Sequence, residues 1–132
     1  MTHPTPRILV ADDDQDILDM IAFTFSDENF HLLFAHDGQE ALEMARKEKP
    51  DLMLLDVRMP GMDGIEVCEA IKKIVPSTVV IFLSSMAMEQ DLLSGFKCGA
   101  DDYITKPFSV GNLKSRVKSW LLRKGIAVSQ AG

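Results

Sequence analysis

Short, almost uninterrupted apolar runs alternate along this chain with stretches in which apolar residues recur every three or four positions. The runs at 7–11, 31–35, 51–56, 78–83 and 103–105 read as strands. Continuous apolarity, rather than strict alternation, is expected of strands covered on both faces. Between the runs, Ile17, Ile21 and Phe25 form one helical stripe, and Ala41, Leu42 and Ala45 a second. Val67, Ile71 and Ile74 make a third, Leu92, Leu93 and Phe96 a weaker fourth, and Leu113, Val117, Trp120 and Leu121 a fifth. Strand–helix alternation with short loops predicts right-handed crossovers and a parallel, doubly wound α/β sheet.

Punctuation residues sharpen the boundaries. Gly38 opens the second helix and Pro50 follows its end; Pro60-Gly61 marks a turn and Asp63 caps a third helix starting near Gly64. Pro76 terminates that helix, Gly99 closes the fourth, and Gly125 sits where a left-handed glycine ends the fifth. Asp14 is placed to cap the first. Residues 1–6 read as a disordered arm, 7–124 as one domain and 125–132 as a flexible tail.

Composition adds limits. At 132 residues the chain has the length of one domain, and 46% hydrophobic with 26% charged residues is ordinary for a globular protein. No run approaches the length of a membrane span and no signal-peptide pattern opens the chain, so a cytoplasmic location and no membrane partner are expected. A net charge of -6 argues against a nucleic-acid surface. The locally basic Lys114, Arg116, Lys118, Arg123 and Lys124 read as a solvated helix face. Cys68 and Cys98 are distant in sequence, lack metal spacing and read as reduced helix residues, and His3, His31 and His36 form no ligand cluster.

Chemistry-bearing residues follow four of the apolar runs: Asp12-Asp13-Asp14, Asp56, Ser84 and Lys106-Pro107. In an open parallel sheet all four emerge at the carboxyl edge, where ligands bind at the point of reversed strand order. With the order 2-1-3-4-5, Asp13 and Asp56 face each other across that point. Adjacent carboxylates repel unless a cation joins them, and hard oxygens with room for water and phosphate suit Mg²⁺. Such a site is suited to placing a phosphoryl group on Asp56.

Four segments carry a resemblance: Ile8–Asp14, Leu54–Gly64 with Asp56, Phe82–Ser85, and Gly99–Phe108 with Lys106-Pro107. Together, from about Arg7 to Lys124, the chain closely resembles the receiver domain of two-component response regulators. The resemblance implies a flavodoxin-like (βα)5 fold with the five-stranded order 2-1-3-4-5. It implies that Asp56 accepts a phosphoryl group from a phosphohistidine on a histidine kinase or phosphotransfer protein. Asp13, Asp56 and the Arg58 backbone carbonyl would ligate Mg²⁺ (or Mn²⁺), with Asp12 acting through a metal-bound water. Lys106, after which a cis peptide bond is implied, would pair with the phosphoryl oxygens, and the Ser84 hydroxyl would hydrogen-bond to them. Ser85 competes with Ser84 as the hydroxyl, but strand alternation lets only one point at the site.

The resemblance further implies a readout. Ser84 moves toward the phosphoryl group, Tyr103 rotates inward, and the face of fourth helix, fifth strand and fifth helix changes shape for a downstream partner or output domain, with a monomer or phosphorylation-dependent dimer. Ser84 replaces the commoner threonine, and Arg58 and Met86 line the site, tuning loss of the phosphate. Asp101-Asp102 reads as a solvated loop, and Met86 and Met88 as packing or partner-surface residues. The alternatives are a receiver fold kept as an unphosphorylated scaffold and an aspartyl-phosphate phosphohydrolase, which would need a second acid where Arg58 stands. A flavodoxin-like cofactor binder is rejected because Asp12-Asp13-Asp14 would repel the cofactor phosphate. Whether this is a stand-alone receiver or the N-terminal part of a longer regulator is left open.

Overall fold

The structure is a computed structural model that describes residues 5–85, 97–126 and 128. Five strands form one parallel sheet: β1 (Arg7–Ala11), β2 (His31–Ala35), β3 (Leu52–Leu55), β4 (Val79–Ser84) and β5 (Asp102–Thr105), in the order β2-β1-β3-β4-β5. Helices α1 (Gln15–Thr24), α2 (Gly38–Glu48) and α3 (Gly64–Ile74) and a C-terminal helix (Val110–Arg123) cover it. This is the expected doubly wound fold. The weaker stripe at Leu92, Leu93 and Phe96, with Met86 and Met88, lies outside the described residues. Among those described, no helix is long and apolar enough to cross a membrane.

Every residue of β3 and β4 is buried, which explains why their runs show no polar alternation. Successive side chains enter opposite cores. Leu9, Ala11, Met53, Leu55, Val80 and Phe82 pack with the inner faces of α2 and α3, including Ala41, Ala45, Val67 and Ile71. Ile8, Val10, Leu52, Leu54, Val79 and Ile81 pack with Leu18 and Ile21 of α1 and with Leu113, Val117 and Leu121 of the C-terminal helix. Edge strand β2 is thinner in cover, with His31 exposed and only Ala35 buried.

Each of these four helices among the described residues starts on a side-chain oxygen: Asp14, Asp37, Asp63 and Ser109 accept from the backbone N–H of Asp16, Glu40, Glu66 and Asn112. Such a cap stabilises by about 1 kcal/mol. Gly125, with φ of 81°, follows the C-terminal helix as expected, and Gly99 has φ of 99°. Beyond Gly125 the chain stays anchored at first: Ile126 N–H donates to Leu121 O at 3.0 Å, and Ile126 and Val128 pack on the core. At the other end, Pro6 is buried and its carbonyl accepts from His31 N–H at 2.8 Å.

Three expectations need correction. Asp101-Asp102 is not a solvated loop. Asp101 Oδ2 accepts from Lys72 Nζ at 2.7 Å and Val80 N–H at 2.9 Å, and Asp102 opens β5. The Asp102 carboxylate accepts from Arg116 at 2.7 Å and from the Trp120 indole at 3.0 Å, joining β5 to the C-terminal helix. The basic helix face is likewise engaged. Lys114 pairs with Asp27 at 2.7 Å, Lys118 pairs with Glu28, and the Arg123 guanidinium lies 4.6 Å from the Trp120 ring centroid. Periodicity locates a charged face but not the α1–β2 turn that the sheet brings beside it. The third correction concerns Cys68 and Cys98, which are remote in sequence but touch in space, with Cys98 in the turn before Gly99 rather than in a helix.

Backbone approaches set two glycines apart. A Cβ on Gly38 would lie 1.8 Å from Met62 O, whereas one on Gly111 would meet open space. Gly38→Ala is therefore expected to destabilise the fold by roughly 1–3 kcal/mol, as overpacking against fixed backbone does. Gly111→Ala, inside a helix, is expected to stabilise it by a few tenths to ~1 kcal/mol. Urea denaturation midpoints of the two variants should move in opposite directions.

Candidate functional site

Strand register builds the site. The β1–β2 and β1–β3 ladders each continue one step past the strands, because Asp12 N–H donates to Ala35 O and Asp56 N–H to Ala11 O, at 3.1 and 3.0 Å. Asp12 and Asp56 thus leave neighbouring strands at the same level. Both are buried, with 2% and 8% of their surface exposed, while Asp13 turns out to solvent. Carboxylate oxygens of Asp12, Asp13 and Asp56 lie within 4.8 Å of one another. Oxygens around one Mg²⁺ at 2.0–2.1 Å are separated by roughly 3–4 Å, so this donor set fits a hard divalent cation with water filling the remaining positions.

On the far side, Ser84 ends β4 opposite Thr105 of β5, and Lys106 N–H donates to Ser84 O at 2.8 Å. The Lys106–Pro107 peptide is cis, as the resemblance implied. The Lys106 ammonium reaches back across the sheet edge, 2.6 Å from Asp12 Oδ2 and 3.4 Å from Asp56 Oδ2. The other oxygens of these carboxylates accept backbone donors: Asp12 Oδ1 from Asp14 N–H at 2.9 Å, Asp56 Oδ1 from Arg58 N–H at 3.2 Å.

Electrostatics follow from this arrangement. Burial pushes the Asp56 carboxyl above its ordinary range; the Lys106 charge opposes that shift and the Asp12 charge adds to it. Burial acts to lower the Lys106 ammonium, but its hydrogen bond to Asp12 and the charges of Asp56 and Asp12 outweigh it, so the net direction is upward. The ammonium stays charged and partly neutralises two carboxylates that would otherwise repel.

Beside the acids opens a cleft of ≈ 530 Å³ lined by Asp13, Val57, Arg58, Met59, Pro60, Asp63 and Ile65. The loop forming it is held down at its end: Gly64 N–H donates to Val57 O at 2.8 Å, and a Cβ on Gly64 would come within 2.2 Å of Asp56 O. Only glycine lets α3 start this close to the strand end.

The structure therefore brings together Asp12, Asp13, Asp56 and Lys106, with Arg58 in the adjoining cleft. Ser84 is buried and Ser85 exposed, in line with the alternation argument. Tyr103 is half-buried, its ring 6.0 Å from that of Phe82. Met86 lies outside the described residues. Sequence reasoning did not foresee the direct Asp12–Lys106 ion pair, since residues 94 positions apart carry no mutual signal. It also missed the tight Gly64 contact, for which the only cue was the Asp63-Gly64 pair after the turn.

Comparison with known proteins agrees with this geometry. The family described as "Response regulator receiver domain" matches residues 8–118. The alkaline phosphatase synthesis transcriptional regulatory protein PhoP of Bacillus subtilis is 40% identical over 121 residues, covering 92% of this chain and 50% of its own length. This chain thus spans about half of that relative. A CheY-like response regulator receiver domain protein from Methanospirillum hungatei superimposes with a TM-score of 0.89 at 30% identity, over 92% of this chain and 98% of the other. The CheX-CheY-BeF3-Mg+2 complex from Borrelia burgdorferi matches with a TM-score of 0.82 at 29% identity, over 86% and 87% of the two chains. The chain belongs to the response regulator receiver domain family of two-component systems.

Proposed function

We propose that this chain is a phosphorylation switch in which Asp56 is the acceptor. The observation that carries this reading is the Lys106 ammonium held between the buried carboxylates of Asp12 and Asp56 at adjoining strand ends. An Asp56 carboxylate oxygen attacks phosphorus of a phosphohistidine on a partner kinase or phosphotransfer protein. The P–N bond breaks, its electron pair stays with the imidazole, and an acyl phosphate remains. Phosphoryl transfer leaves the protein mainly positioning and charge neutralisation. Mg²⁺ or Mn²⁺, when bound, would supply positive charge that offsets the negative charge of the transferring phosphoryl group. Asp13, Asp56 and the Arg58 carbonyl would hold it directly in this reading, and Asp12 would act through a water. A relative bound to BeF3 and Mg²⁺ supports the choice of cation.

Lys106, already charged, shifts its hydrogen bonds from the carboxylates to the phosphoryl oxygens, and the Ser84 hydroxyl adds another. The phosphoryl group brings roughly -1.5 to -2 charges and three strong acceptors. A few charge-assisted bonds of about 1.5–3 kcal/mol each approach the ~5.5 kcal/mol needed to reverse a two-state population. Tyr103 and the C-terminal helix carry the change to a downstream partner or output domain. Arg58, and Met86 beyond the described residues, tune hydrolysis. The chain then catalyses only its own phosphorylation and dephosphorylation, in the cytoplasm.

Incubation with acetyl phosphate and Mg²⁺ is expected to add one phosphoryl group to the intact mass, and EDTA or Asp56→Asn to abolish the gain. Lys106→Ala is expected to slow incorporation on the order of 10²–10³-fold, the usual loss when one donor to a developing oxyanion is removed. Absence of both a mass gain and beryllofluoride binding would leave the unphosphorylated scaffold.

The raised Asp56 carboxyl also makes stability pH-dependent. The folded state holds this proton more tightly than the unfolded chain, so its contribution is present below the ordinary value of 3.8 and is lost as pH rises through the higher folded value. In EDTA near neutral pH, Asp56→Asn is therefore expected to melt above the wild type. The gap should close as pH falls below the ordinary aspartate range, and Mg²⁺ should raise the wild type more than the variant.

A further inference from the structure

Cys68 and Cys98 are 30 positions apart, yet the Cys68 Sγ lies 3.5 Å from the Cys98 carbonyl oxygen, to which it donates. Both side chains are buried in the core between the sheet and helices α2 and α3, and neither is in a disulfide. The phosphoryl site uses neither. Cys68 sits in α3; Cys98 sits in the turn that leads through Gly99 into β5.

Independent contacts fix the separation of these two segments. One turn after Cys68, Lys72 Nζ donates to Asp101 Oδ2 and to Thr78 O, both at 2.7 Å. Asp101 Oδ2 also accepts from Val80 N–H, and a Cβ on Gly99 would already lie 3.0 Å from Lys72 Cγ. The two segments that carry the thiols are therefore held together by a half-buried ion pair and close packing of Gly99 on the Lys72 side chain. Two thiols so confined react with each other at high effective concentration.

They are not equivalent. Its hydrogen bond to Cys98, reinforced by burial, pushes the Cys68 thiol up. Cys98 also retains 7% exposure, against none for Cys68. The more exposed sulfur is the one a small oxidant meets first.

We propose that Cys68 and Cys98 are a redox modification site that closes to an intrachain disulfide under peroxide, tying α3 to the entry of β5. The Cys98 thiolate, its proton released to solvent, attacks one oxygen of hydrogen peroxide; the O–O bond breaks, and the departing hydroxide takes up one proton and leaves as water. Cys98 is then a sulfenic acid. The Cys68 sulfur, giving up its proton, attacks the Cys98 sulfur, the S–O bond breaks and a second water leaves. Two thiols are oxidised by two electrons in total, and one peroxide is reduced. The bond closes a loop that contains all of β4.

The native chain treated with hydrogen peroxide, then alkylated with iodoacetamide without reductant and digested, tests this. The expected product is a Cys68–Cys98 linked peptide pair, lighter by ~2 Da than the two thiol peptides together and separated by dithiothreitol. The oxidised chain should melt higher than the reduced one by about 5 °C or more. In Cys68→Ala, peroxide should leave Cys98 as a sulfenic acid that dimedone traps; in Cys98→Ser, Cys68 should stay alkylatable. Two alkylated cysteines after peroxide, an over-oxidised Cys98 beside a free Cys68, or a link between two chains would each overturn the proposal.

Discussion

One ammonium makes the carboxyl edge of this sheet tolerable. The β1–β2 and β1–β3 ladders deliver Asp12 and Asp56 to the same level, both nearly shut off from water. Two carboxylates so placed repel, and burial penalises each ionised form. Lys106, at hydrogen-bond distance from both, offsets that penalty without abolishing it, as the upward shift of Asp56 records. The site is thus a cluster of incompletely neutralised charge that a further cation or an anion-bearing adduct would rearrange. Its reactivity and its instability have one origin.

Everything that carries these groups is arranged to hold the edge still. The two cores on either face of the sheet fix the strand levels, and Gly64 brings the start of α3 within contact of Asp56 O. Gly38 does the same for α2 against Met62 of the loop lining the cleft. At the opposite end of β5, Asp101 and Asp102 spend their carboxylates on Lys72, Val80, Arg116 and Trp120, so that strand is anchored to both helical layers.

How much of this the sequence disclosed depended on the range of the interaction. Strands such as β3 and β4 were legible because full burial on both faces writes itself as a continuous apolar run. Caps such as Asp63 were legible because a cap and its helix are neighbours in the chain. Asp12, Asp13, Asp56, Ser84 and Lys106 could be assigned to one edge because each follows an apolar run, and parallel topology sends every run the same way. The Asp12–Lys106 pair, the Lys72–Asp101 anchor and the Lys114–Asp27 clamp were not legible. Each joins residues whose proximity arises only once strand order and helix packing exist. Charge alone, seen along the chain, made Asp101 and Lys114 look like solvated surface.

The helix caps have a further effect. Asp14, Asp37 and Asp63 all begin helices that follow strands, so topology sets these carboxylates around the same edge as Asp12, Asp13 and Asp56. Their oxygens are engaged by backbone N–H groups, and the positive ends of the helix dipoles compensate them in part. What survives is an acidic rim, felt over about a Debye length of ~8–10 Å at physiological ionic strength. A small cation is drawn toward this rim, whereas a negatively charged phosphodonor approaches against it. Salt would weaken both tendencies together, making ionic strength a control on which encounter comes first.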